Sequence, residues 1–185
     1  MKKAILSALV CVFAVAFSAS AQINWSAYAG KYEMTNVAKD GGKGGVPEIT
    51  ITQKGIADLD ATGKIVYDGT LEMKVNVSTG EPATILTFVY SVAYNAVAKA
   101  VSGDSFILKA DKESVKLEYK SDSVENPNET SEAMVPVFKE SIGYMSGELK
   151  RELGDRNAKF TASQDEEGNF ILTDADGVVW KITKL

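Results

Sequence analysis

Ala83-Thr84-Ile85-Leu86-Thr87-Phe88-Val89-Tyr90-Ser91-Val92-Ala93-Tyr94-Asn95-Ala96-Val97-Ala98-Lys99-Ala100-Val101 is the stretch on which the fold turns. Read two at a time, it places Phe88, Tyr90, Val92, Tyr94, Ala96, Ala98 and Ala100 on one face, and Val89, Ser91, Ala93, Asn95, Val97, Lys99 and Val101 on the other. Strict alternation is the period of a β-strand, whose successive side chains leave opposite faces. The first face is wholly apolar and is expected to point inward. It runs from large aromatics to alanines, which would leave space at one end of a barrel. Phe88, Tyr90, Tyr94, Ala96 and Ala98 are therefore the candidate lining of a cavity for a small apolar ligand, unless other side chains pack into that space and fill it. A buried tyrosine hydroxyl needs a partner, so Tyr90 or Tyr94 would orient a polar group of such a ligand. The run exceeds the roughly 3–10 residues usual for a strand, and a break within it is expected.

Shorter alternating runs recur at 27–37, 47–53, 64–67, 70–77, 105–109, 114–120, 158–163, 169–173 and 178–184. Residues that accept positive φ or preset a turn lie between them, among them Gly41 to Gly45, Asp68-Gly69, Gly80-Glu81-Pro82, Gly103-Asp104, Gly168-Asn169 and Asp176-Gly177. The pattern predicts a mainly β protein: an antiparallel up-and-down β-barrel of about eight to ten strands in meander order.

One segment departs from the period of two. Phe138, Ile142, Met145, Leu149 and Leu153 recur at helical spacing. Pro136 suits a first turn and Gly154 the left-handed position just past an end, so one amphipathic helix is expected over 136–153. Gly143 and Gly147 each weaken it by roughly 1 kcal/mol relative to alanine, so its stability must come from packing against the sheet. It serves either as plain packing or as a lid that loosens to admit a ligand.

The start of the chain carries Lys2 and Lys3, an apolar run from Ala4 to Phe17, and the small residues Ser18-Ala19-Ser20-Ala21. That is the composition of a secretory signal peptide over 1–21, with cleavage expected after Ala21. Residues 22–185 then form a single domain, expected in the periplasm or outside the cell, without a transmembrane anchor. Cys11 is the sole cysteine and leaves with the leader; the chain has no histidine. The exported protein thus lacks a disulfide, the usual transition-metal ligands and the usual neutral-pH base. The formal net charge of the whole chain is −5. Acidic and basic residues are interleaved with no basic stripe, which argues against nucleic acid as a partner.

Asp174-Ala175-Asp176-Gly177 has two alternating carboxylates, but it lacks the third ligand and the distant glutamate of a calcium loop, and Asp-Gly between alternating runs reads as a hairpin. No metal or cofactor is expected. No serine stands in a nucleophile-elbow context, no catalytic residue is nominated, and the chain is read as a non-enzyme.

Trp25 with Gly30-Lys31-Tyr32 resembles the opening signature of lipocalins and their calycin relatives, Gly-x-Trp with Tyr in place of Trp. The tail from Asn169 to Ile182 resembles the closing hairpin of small secreted lipocalin-like proteins of Bacteroidetes. The resemblance implies an antiparallel barrel of the kind that often holds an apolar ligand. Two functions follow as expectations. The barrel binds a small apolar ligand inside, or it is filled and acts as an interaction module for an envelope or secreted protein or a glycan. The contact candidates for the second are the glycine-rich loop at 41–45 and a polar loop at 121–131.

Overall fold

The alternation of 83–101 runs through a single strand, β4 (Ile85–Ser102), and the rest of the molecule is arranged around it. In this computed structural model the described residues are 25–42, 47–77, 82–102, 105–155, 158–164, 170–174, 177 and 179–185. The expected leader at 1–21 and residues 43–45 of the glycine-rich loop lie outside them. A 3-10 turn, η1 (Trp25–Ala27), precedes β1 (Gly30–Asp40), β2 (Glu48–Leu59) and β3 (Lys64–Asn76). After β4 come β5 (Ser105–Ala110), a second 3-10 turn η2 (Lys112–Ser114), and β6 (Lys116–Glu125). Two helical segments, α1 (Glu129–Glu140) and α2 (Ile142–Asp155), lead to β7 (Ala158–Gln164), β8 (Phe170–Asp174) and β9 (Val179–Lys184).

All pairings are antiparallel. The sheet order is β3-β2-β1-β9-β8-β7-β5-β4-β6, and β3 also pairs with β4. That last pairing closes eight strands into an up-and-down barrel and leaves β6 outside the ring. Followed once round, the registers return to β1 about twelve residues displaced, the stagger that strand tilt imposes on a closed sheet.

β4 stays unbroken because the break expected in it falls on its partner. One edge of β4 pairs with β3 from Ile85 to Val97. Along the other edge, Ile85 to Ala93 pair with β6 and Ala96 to Ser102 with β5. Between the two, η2 interrupts the partner, and Asn95 holds the junction: its carbonyl accepts from Asp111 N at 2.9 Å, and its N–H donates to Ser114 Oγ at 2.8 Å.

One turn reading is corrected in the same way. Asp68-Gly69 is not a hairpin but lies in mid-β3, where Gly69 pairs with Gly55 of β2. Both glycines face inward, and the Tyr67 ring lies over them: a Cβ on either would come within 2.6 Å of the Tyr67 hydroxyl. The missing side chains are a notch for an aromatic, not a turn. Gly63 does serve a turn, at φ +86° in the β2–β3 hairpin, where Trp25 lies against it.

The helix also differs from its expected 136–153 bounds. It begins at Glu129 because Asn128 caps it: Asn128 Oδ1 accepts from Ser131 N at 2.8 Å, and Ser131 Oγ accepts from Asn128 N at 2.9 Å. Pro136 therefore sits inside α1 rather than in its first turn, and the helix is divided at Ser141. The reciprocal cap is a stronger start signal than a proline, which is tolerated in the interior at a cost of about 3 kcal/mol. The polar stretch at 121–131 is no loop either, because 121–125 belong to β6 and Ser131 to the cap. The side chains of Ile142 and Leu149 lie outside the described set.

Candidate functional site

Phe88, Tyr90, Tyr94, Ala96 and Ala98 all point into the barrel, each 4% exposed or less. Two kinds of inner surface meet along β4. Toward its C-terminal end Ala96 faces Ala110 and Ala98 faces Leu108, a wall of three alanines and a leucine beside the stacked rings of Tyr67 and Tyr94, whose centroids are 4.9 Å apart. Toward its N-terminal end Phe88 packs on Phe138 of α1 at 4.8 Å, and Tyr90 meets Tyr119 of β6 edge-on at 6.2 Å.

Polar groups enter this interior along one course of the wall. The registers place Asn36 opposite Gln53, Gln53 opposite Leu71, and Leu71 opposite Tyr90. Trp180 continues the course on β9, one step beyond the Thr35–Lys181 pair, where Asn36 Nδ2 donates to the Val179 carbonyl at 2.7 Å. Gln53 Nε2 donates to the Tyr67 hydroxyl at 2.9 Å. The opposite ends of these groups are unsatisfied: Asn36 Oδ1, Gln53 Oε1, Tyr90 Oη and Trp180 Nε1 are buried with no hydrogen-bond partner among the described residues. Two acceptors and two donors are thus presented within an otherwise apolar wall. Burial is the main force that pushes the Tyr90 hydroxyl up to about 12, with the nearby Tyr119 and Asp122 adding to it, so it stays a neutral donor at physiological pH.

Asn36, Gln53 and Trp180 are candidate site residues that β4 alone does not reveal. Their signal was present in the sequence. Asn36 follows Tyr32 and Met34 at a spacing of two, and Gln53 follows Ile49 and Ile51, so each is a polar residue on an apolar face.

Beside this interior, β6 and α1 are tied together. Lys139 Nζ lies 2.7 Å from Asp122 Oδ1 and over the Tyr119 ring, and the Tyr119 hydroxyl donates to the same carboxylate. The lysine, and then the tyrosine, hold the Asp122 carboxyl below its ordinary range. A separate groove of about 670 Å³ opens on the outside of the barrel over β3, β4 and β5. Of the five candidate lining residues only Ala96 touches it, through the strand floor. No described helix is long and apolar enough to cross a membrane. Compared with models of known protein families and with curated proteins, the chain matches none.

Proposed function

We propose that this protein is an exported, lipocalin-like barrel that binds a small, largely apolar molecule bearing at least one hydrogen-bonding group. The observation that carries the reading is the set of four buried, unpartnered polar atoms on one inner course: Asn36 Oδ1, Gln53 Oε1, Tyr90 Oη and Trp180 Nε1. Leaving a buried polar group unmade costs about 1–3 kcal/mol, so four on one wall are an arrangement that something complementary relieves. A ligand with an acceptor toward Tyr90 and Trp180 and a donor toward Asn36 and Gln53 does so, while its apolar body lies against Phe88, Tyr94 and the alanines of β4 and β5. An eight-stranded barrel has the girth for one such molecule.

A neutral, environment-sensitive dye tests the reading. In a Trp25→Phe background the remaining tryptophan is Trp180 in the wall, and energy transfer from it to bound Nile red is the expected signal. Ala98→Phe fills the small-residue end and is expected to abolish that signal while the variant stays folded. Absence of transfer in the background protein, together with a destabilised Ala98→Phe, contradicts a ligand chamber and points to a packed interior, where overpacking costs about 1–3 kcal/mol.

A further inference from the structure

The outer groove joins positive charge to apolar surface in a chain that is acidic overall. Its walls carry Lys64 from β3, Lys99 from β4 and Lys109 from β5, around Val66 and Val97, which are 57% and 37% exposed. The registers fix the layout. Lys64 lies opposite Val97 and Val97 opposite Lys109, so two lysines flank a valine across three strands, their backbones roughly 10 Å apart. Lys99 stands two residues along β4, on the same outward face.

Lys54, Lys74, Lys120 and Lys139 each hold a carboxylate at 2.7–3.4 Å. Lys64, Lys99 and Lys109 have no ion pair among the described residues. The one carboxylate in the groove, Asp111, caps η2, where its Oδ1 accepts from Glu113 N at 3.1 Å, so three lysines face a single carboxylate there. The groove also has a structural cause: it lies where η2 breaks the line from β5 to β6 and Asn95 holds the junction, so it is part of the barrel's construction.

We infer that this groove is a second binding site, separate from the inner chamber, for a single anionic amphiphile. Its carboxylate, phosphate or sulfate head lies among Lys64, Lys99 and Lys109, and its hydrocarbon body lies on Val66 and Val97. Three lysines with no close ion pair, against the single carboxylate of the lining, leave the groove net positive and favour an anion, and the exposed valines between them favour an anion with an apolar body over a bare one. The volume is that of a small-molecule site, not of an extended polymer.

Titration calorimetry with monomeric dodecyl phosphate tests this. The wild type is expected to bind one equivalent, and dodecyl maltoside, which has no charge, and inorganic phosphate, which has no tail, are each expected to bind more weakly. The K64Q/K99Q/K109Q variant is expected to lose about tenfold in affinity, the summed effect of three exposed charge contacts. Ala98→Phe is expected to bind dodecyl phosphate as the wild type does, since it blocks only the chamber. Four results overturn the inference: no binding to the wild type; unchanged affinity in the triple variant; inorganic phosphate binding as tightly as the amphiphile; or binding seen only with vesicles of anionic lipid, which would make the face a membrane-docking surface.

Discussion

Tyr90 shows what a single residue does in this wall. Its ring is fully buried, and its hydroxyl has no partner among the described residues, so a carbon–hydrogen edge there would fit at least as well in the empty protein. Tyr90→Phe is therefore expected to leave the stability of the ligand-free protein unchanged, or to raise it by about 1 kcal/mol, while weakening dye binding; chemical denaturation and the Trp180 signal read the two effects separately. The hydroxyl also sets a pH response. Its folded value is raised above that of an unfolded tyrosine, so its contribution is complete below about pH 10 and is lost as pH rises toward the folded value of about 12. The stability difference between the wild type and Tyr90→Phe is expected to be constant below pH 10 and to change above it in alkaline unfolding. Gly55 and Gly69 make the complementary case: Gly55→Ala or Gly69→Ala drives a Cβ to 2.6 Å from both a strand carbonyl and the Tyr67 hydroxyl. Each is expected to destabilise the fold by about 1–3 kcal/mol in denaturant titration. The inward tyrosines were legible from spacing alone, whereas the glycine notch was not, because Asp-Gly is also a strong turn pair and only the cross-strand register tells the two apart.

Among the elements, α1, α2 and β6 lie outside the closed ring. Two contacts at α1 are open to direct test: the aromatic one, Phe138 on Phe88, and the polar cluster of Lys139 with Asp122 and Tyr119. Phe138→Ala is expected to cost about 2 kcal/mol in denaturant titration, as a half-buried ring leaving the barrel wall, and Glu140→Ala, on an exposed position, next to nothing. Because the folded Asp122 carboxyl titrates below its ordinary range, its contribution is present above about pH 4 and is lost as the pH falls through the folded value. Hydrogen exchange of α1 is expected to quicken on acidification in the wild type and to be already fast in Asp122→Asn. The apolar spacing from Phe138 onward revealed the helix, but its start was misread. Proline is a familiar first-turn residue, while the reciprocal Asn128–Ser131 cap uses a serine where Glu or Gln is the commoner partner. The length of β4 was misjudged for a related reason: a strand's limit is set by its neighbours, and β4 has a different neighbour along each half of one edge.

For the whole molecule, closure between β3 and β4 turns a sheet with two exposed edges into a barrel with an inside. The fold class was legible because a meander of alternating strands has few ways to bury one face. The polar course was only partly legible. Alternation assigns Asn36, Gln53 and Trp180 to inner faces, but only the registers of five strands line them up with Tyr90. The outer groove was not legible at all, because it lies where η2 interrupts the partner of β4, and that break shows only in the registers of β5 and β6 against β4. The central claim, that the course of Trp180, Asn36, Gln53 and Tyr90 contacts a ligand inside the barrel, is tested most directly by a crystal structure of the protein grown with Nile red. The account predicts density for the dye in the chamber, with its acceptor atoms within about 3 Å of Tyr90 Oη or Trp180 Nε1. Dye found only on the outer surface, with those two atoms satisfied by neighbouring side chains, would contradict it.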